Sequence, residues 1–268
     1  MTSYVPLSIA DLVIAATLVA LNGAISFAYG LKLEKSLAIA SLRMVVQLAL
    51  VALVLKFIFD QTSALWTVLF AIVMAVASGA EIIMRQERRF TAWPAMIMSS
   101  SPAFAAGLVT TIVALSVIQP SPWYAPRFLL PILGMLAGNA LSGVALVLDA
   151  ITTAAVRERP AIEARLALGA TRFTAFEDIL RRSLRTGLMP ILNGMAAAGV
   201  VSLPGMMTGQ ILAGVDPVEA AKYQVMIMFL IAGATSVAVL AGGLAAVHLL
   251  TDERHRLRLD RLTKPAAN

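Results

Sequence analysis

The sequence predicts an all-α fold, a polytopic membrane bundle of about seven transmembrane helices with one polar helix–turn–helix outside the bilayer. Three observations carry this prediction. Hydrophobic residues make up 59% of the 268 residues and charged residues only 13%, with a mean hydropathy of +0.85. A soluble domain of this length would carry roughly a quarter charged residues. Several apolar runs exceed the ~18 residues that cross a hydrocarbon core, and they are continuous rather than alternating, which argues against a β-barrel. Finally, the longest polar stretch, 156–187, keeps helical spacing instead of reading as a linker.

The spans are predicted at about Leu7–Tyr29, Leu37–Phe59, Ala64–Ala80, Ala95–Ile118, Phe128–Leu148, Pro190–Ala213 and Tyr223–Leu250. Together they form one domain, 1–268, with the polar segment 156–187 and a basic tail 251–268 outside the membrane. Loop charge alternates. Lys32, Lys35, Arg85, Arg88, Arg89, the arginines of 156–187 and Arg254, Arg256, Arg258, Arg261 and Lys264 lie on one side. Lys56, Arg127 and Lys222 lie on the other. The positive-inside rule then places the N-terminus outside and the C-terminus in the cytoplasm. The net charge of +6 and the pI near 10.1 are read as these topology signals and not as a nucleic-acid surface. No cysteine is present, which excludes disulfides and thiolate metal sites. The N-terminus has no basic leader region, so the first apolar run is expected to be retained.

Taken in order, the first span contains Asn22 and Gly23, both ordinary in packed membrane helices. The second carries Arg43 and Gln47. Arg43 fits snorkelling or pairing, with Glu81 as one partner, and also a place on a transport pathway. Met84–Phe90 reads as a short basic interfacial turn. Trp123 and Tyr124, in the proline-rich loop Gln119–Pro126, suit the outer headgroup belt. In the fifth span Gly134 and Gly138 form a small-xxx-small pair, with Asn139 beside them to hydrogen-bond across a helix contact.

The polar segment follows. Pro160 suits the first turn of a short helix with apolar contacts at Ile162, Leu166 and Leu168. Gly169 provides a positive-φ stop, and Thr171 caps a second helix whose apolar face is Phe173, Phe176, Ile179, Leu180 and Leu184. That helix leads through Gly187 and Pro190 into the sixth span. There Pro204 and Gly205 predict a kink or a short unwound piece near the bilayer middle. Met206, Met207, Thr208 and Gln210 cluster at the break. The methionines fit core filling, and alternatively contact with cargo. Before the seventh span, Asp216, Pro217 and Glu219 predict a capping box, with an outer cation site as the alternative. His248 and His255 are not spaced as a site, and the tail is expected to rest on anionic lipid or on a partner.

No GxxxxGK[ST] phosphate loop, HExxH or nucleophile–histidine arrangement occurs, so the chain reads as a transporter body lacking its motor, not as an enzyme.

Glu163-Ala164 followed by Gly169 matches the loose EAA-x-x-x-G pattern of ABC-transporter permeases, departing from it at Arg165, where alanine is usual. GMLAGNA (Gly134–Ala140), LALGAT (Leu166–Thr171) and Val200–Met226 extend the likeness over nearly the whole chain. In these motifs the chain resembles the bacterial FetB family of ABC permeases, with which plant aluminium-sensitive and STAR-type proteins are grouped. The resemblance implies a multi-pass protein of the bacterial inner membrane and two permeases assembled with two ATPase subunits. It implies ATP and Mg on the partner, with no cofactor in this chain. It also implies export, with iron as cargo for the bacterial members and a link to oxidative-stress resistance. A nucleotide sugar or other non-metal cargo is the alternative, and a secondary transporter or signalling component lies outside the ABC reading. Glu163, Ala164, Leu168, Gly169, Ala170 and Thr171 are the expected ATPase-coupling residues. Asn139, Pro204, Gly205, Met206, Met207 and Gln210 are the expected hinge and cargo pathway. No residue is assigned to a metal.

Overall fold

The computed structural model of the chain describes residues 8–61 and 63–263. Leu7 and Lys264, named above, lie outside the described residues. Within them the helices are α1 (Ile9–Ala28), α2 (Glu34–Gln61), α3 (Ala64–Arg85), α4 (Trp93–Ile118), α5 (Pro126–Arg157), α6 (Arg159–Ala167), α7 (Arg172–Ala197), α8 (Gly205–Leu212) and α9 (Pro217–Leu249). Only isolated bridges interrupt this all-α pattern among the described residues. Two compact units emerge. One holds α1, α2 and Leu212–Val215, and the other holds the remainder from α3 onward.

In the first unit, Ser8 and Asp11 form a reciprocal capping box at the start of α1. Asp11 is thereby committed to its own helix end. The α1–α2 turn is tied at Ser26, whose hydroxyl donates to Glu34 Oε1 (2.9 Å) and accepts from Leu33 N (3.0 Å). Most apolar side chains here are exposed, as suits helices bathed in hydrocarbon.

The second unit is built on α4, α5, α7 and α9. One apolar cluster holds Val144, Leu148, Ile151, Phe176, Ile179 and Val247, and a second holds Leu115, Leu136, Ile191, Ile227 and Ile231. Small residues set the closest approaches. A Cβ on Gly107 would lie 2.8 Å from Ala137 Cα. A Cβ on Gly143 would lie 2.7 Å from Val239 and 3.0 Å from the Gly187 carbonyl, so α5 and α7 touch backbone to backbone. A Cβ on Gly242 would lie 3.3 Å from Val144, and one on Gly243 would lie 3.0 Å from Leu180.

The predicted Gly134–Gly138 contact is different. Gly134 meets only the Met74 methyl at 3.4 Å and Gly138 faces open space. Asn139 is exposed, and its amide donates to Met135 O (2.8 Å) in its own helix instead of crossing to another. The GxxxG spacing is real, but this face of α5 is not the one that meets α4, α7 or α9.

Among the described residues six helices, α1 to α5 and α9, are long and apolar enough to cross a membrane. The predicted sixth span, Pro190–Ala213, is divided. Its first part is the end of α7, which continues unbroken from Thr171 through Pro190 to Ala197. Residues 198–204 are unwound, and α8 follows. Pro190 removes one hydrogen-bond donor inside α7 without ending it, whereas Gly199 (φ +84°) ends the helical path. Met195 and Met206, on either side of the break, both pack on the second apolar cluster. The break thus lies towards the end of the bundle holding the N-termini of α5 and α9, not at its middle.

Beyond α9 the tail is folded through Thr263. Leu262 bridges to Phe90, Thr91 N donates to Arg261 O (2.8 Å), and Thr263 N donates to Arg89 O (2.8 Å). The Met84–Phe90 segment is anchored by buried Gln86 and Phe90, while Met84, Arg85, Glu87 and Arg89 remain exposed. The tail is thus a staple across the ends of α3, α4, α7 and α9, not a free basic strand.

Candidate functional site

The polar segment is an elbow made by α6 and α7. α5 runs past its predicted end to Arg157, and Glu158 forms the joint to α6. The Glu158 carboxylate accepts from Arg157 Nη2 (2.9 Å) and from Arg182 Nη2 (2.7 Å). These hydrogen bonds, that from Arg157 first, hold Glu158 below the usual carboxylate range against its partial desolvation. Ile162 (1% exposed) anchors α6 on the core. Gly169 takes φ +89°, and Thr171 Oγ1 accepts from Thr174 N (3.3 Å), so the predicted stop and cap both form.

Arg165, where the sequence departs from the permease pattern, reaches across the elbow. It donates to Asp178 Oδ2 (2.7 Å) and to Ala175 O (3.4 Å). Its guanidinium lowers the Asp178 pKa. A cleft of about 330 Å³ lies between the two helices beside this pair. Glu163 accepts from Arg159 Nε (2.8 Å) and remains half exposed, next to exposed Ala164.

Leu168 corrects the sequence reading. It was expected on the packed face, but it is the C-cap of α6 and is 89% exposed. Phe173, expected on the α7 core face, is 45% exposed. Helical spacing alone cannot separate an inward leucine from one lifted off by a positive-φ turn directly after it. Leu168, Gly169, half-buried Ala170, Thr171 and Phe173 form an apolar-tipped bend at the end of a polar elbow.

At the break, Gly199 N donates to Ser202 O (2.8 Å) while Val201 N and Ser202 N return to Ala197 O. Pro204 O accepts both Thr208 N (3.0 Å) and Thr208 Oγ1 (3.2 Å), which starts α8 immediately after the proline. Pro204 and Gly205 therefore mark the far edge of the break. Met206 and Met207 are half buried, Gly205 and Gly209 face open space, and the buried Gln210 Oε1 has no hydrogen-bond partner. Asn139 is not joined to this group by any described hydrogen bond. No cluster of three His, Cys, Asp or Glu side chains occurs among the described residues.

Asp216 is the N-cap of α9 as expected, accepting from Val218 N (2.9 Å) and Glu219 N (3.3 Å), but the reciprocal Glu219 half of the expected capping box does not form among the described residues. Glu219 itself is engaged by Lys222 Nζ (2.6 Å).

Sequence spacing hides one node entirely. Arg172, the first residue of α7, donates through Nη1 to His248 Nδ1 (2.9 Å), through Nη2 to Asp252 O (3.2 Å), and through its backbone N to His255 Nδ1 (3.3 Å). Two histidines that looked unrelated thus meet at the elbow. The only signal in the sequence was a basic residue directly after a helix cap.

These features define a polytopic α-helical membrane protein with an ordered polar elbow and a helix broken near one end of the bundle. The chain belongs to the uncharacterised protein family UPF0014, whose model matches residues 9–250. It is 33% identical over 95% of its length to the Escherichia coli protein described as "Probable iron export permease protein FetB", covering 96% of that protein. It is 32% identical to the UPF0014 membrane protein STAR2 of Oryza sativa, over 84% of this chain and 77% of the relative. It is 30% identical to ALUMINUM SENSITIVE 3 of Arabidopsis thaliana, over 80% and 76%. No solved structure matches it.

Proposed function

We propose that the chain is the permease subunit of an ABC-type exporter, driven by a separate ATPase subunit that contacts the α6–α7 elbow. The carrying observation is Leu168, a large apolar side chain 89% exposed at the tip of a bend held by the Gly169 turn and the Thr171 cap. Exposed apolar anchors rimmed by polar groups mark protein contacts. Glu163, Ala164, Gly169, Ala170 and Thr171 surround it as the remainder of the docking surface. Similarity to the E. coli protein described as a probable iron export permease supports a metal cargo, with iron first.

The mechanism follows from α7. Its 26 residues run as one rod of about 39 Å from the elbow to the break. Gly187 locks that rod to α5 and α9 near mid-length, so the three move together. ATP-driven closure of two ATPases would press on the elbow and rock this block. The unwound 198–204 segment is where α8 can change its angle to α7. Met206, Met207 and Gln210 on α8, and Asn139 on α5, are the side chains proposed along the cargo path. Assembly as two permeases with two ATPases, with the N-terminus outside and the elbow in the cytoplasm of a bacterial inner membrane, belongs to the same proposal.

The test is co-purification from native membranes. Leu168→Asp should abolish recovery of the ATPase while the chain stays inserted. Wild-type recovery with that variant would refute the docking role. In proteoliposomes holding the complex, ferrous iron should stimulate ATP hydrolysis. Stimulation by a nucleotide sugar instead would replace the cargo and leave the docking intact.

A further inference from the structure

We propose that the cleft enclosed by the start of α7, the end of α9 and the folded tail is a binding site for a phosphate-bearing anion, filled by the headgroup of an anionic membrane lipid. The inference does not depend on the transport reading. The cleft measures about 630 Å³, room for a glycerophosphate group, and four arginines line it: Arg172, Arg254, Arg256 and Arg261.

Their charges are not equally satisfied. Arg256 is paired with Asp252 (2.7 Å), a carboxylate only 12% exposed that also accepts from the Arg254 and Arg256 backbone N–H groups. Arg172 is held by His248 and the Asp252 carbonyl. Arg261 is held by the carbonyls of Leu249 (2.8 Å) and Thr251 (3.3 Å). None of those partners is a carboxylate. Arg172, Arg254 and Arg261 form no ion pair with a carboxylate among the described residues. Arg172 and Arg261 are also half buried. Each guanidinium keeps donors beyond the two it uses. Arg172 and Arg261 are thus fixed, partly desolvated cations with hydrogen-bond capacity to spare, and exposed Arg254 is free to close on the same occupant, an arrangement that recognises phosphate oxygens. Glu253, the other acidic residue of the lining, is exposed.

Two features favour lipid over a free anion. The cleft lies directly at the end of α9, a helix of membrane-spanning length, and Met98 and Leu249 form an apolar wall beside the arginines. Basic pockets at the ends of membrane helices take anionic headgroups in this way. An occupant would neutralise Arg172 and Arg261 together and so tie the first turn of α7 to the tail.

The experiment uses the full chain, delipidated in detergent and supplied with phosphatidylglycerol or phosphatidylcholine, with retained lipid counted by native mass spectrometry. Phosphatidylglycerol should be retained selectively. Arg254→Gln removes a side chain that makes no hydrogen bond, so folding is spared, and it should lower retention about fivefold. Arg172→Gln should do the same or more, whereas Arg181→Gln, on α7 but outside the cleft, should change nothing. Inorganic phosphate added alone separates the sources. If it displaces the lipid and binds calorimetrically in an Arg254-dependent manner, the anion site stands with a soluble occupant. Equal retention of both lipids, or no loss on Arg254→Gln together with no phosphate binding, overturns the proposal.

Discussion

Gly169 shows how one backbone angle decides a surface. At φ +89° it ends α6 and turns Leu168 outward, although nothing crowds the space its Cβ would occupy. Gly169→Val is therefore a conformational test and not a steric one. A β-branched residue in the left-handed region costs roughly 1–2 kcal/mol. The variant should insert normally, yet bind the ATPase poorly in the same co-purification. Asp252 sets a pH dependence. The Arg256 backbone N–H, with help from its guanidinium, holds this carboxyl at about 2 instead of 3.8. The folded value is depressed, so its stabilisation of the tail is complete above 3.8 and is lost as pH falls through about 2. Pepsin, active across that range, should cut the tail of Asp252→Asn faster than wild type near pH 4, and the two rates should converge near pH 2. At this scale the sequence was legible where chemistry is local: the Thr171 and Asp216 caps and the Gly169 turn. It was silent on Arg172 meeting His248 and His255, because those partners lie 76 and 83 residues away.

Among the elements, hydropathy located α1, α2 and α4 within a few residues and found α3, α5 and α9 with one end of each cut short, but it could not see the division of 190–213. That stretch is largely apolar, so hydropathy does not distinguish a helix end from an unwound turn or a new helix. The unwound piece expected at Pro204 and Gly205 does form, occupying 198–204 ahead of Gly205, whereas Pro190, the expected start of the span, lies inside α7. The far end of α5 was also underestimated, since the helix continues through Asp149–Arg157 after the apolar run stops. The rod-and-break description of α7 and α8 makes a measurable claim. The chain has no native cysteine, so spin labels can be placed cleanly. Labels at Glu177 and Leu192, both exposed on α7, should stay about 22 Å apart along the axis in every nucleotide state. A pair at Leu192 and Gly209, across the break, should change its distance on ATP binding. An invariant second pair would show that the break is static.

For the molecule as a whole, glycine spacing was the least reliable guide. The Gly134–Gly138 pair drew attention through its motif, yet Gly107, Gly143 and Gly187 make the tight contacts. A motif reports that a helix has a smooth face, not which neighbour covers it. Gly107→Ala should therefore be the damaging change. Its methyl would meet Ala137 backbone at 2.8–2.9 Å, which no rotamer can relieve. Overpacking of this kind costs roughly 1–3 kcal/mol and should show as a lower melting temperature in detergent. Gly138→Ala, facing open space, should leave that temperature unchanged.

Those same contacts constrain any permeation route. Where backbones already touch, at Gly107 on Ala137 and at Gly143 on Gly187, there is no slack to part α4 from α5, or α5 from α7, without destroying the packing that defines them. On the transport reading proposed above, a cargo path would therefore run along the outer surface of this wall, where Gly138 and Gly209 face open space, and each copy of the chain would supply one jamb of the gate.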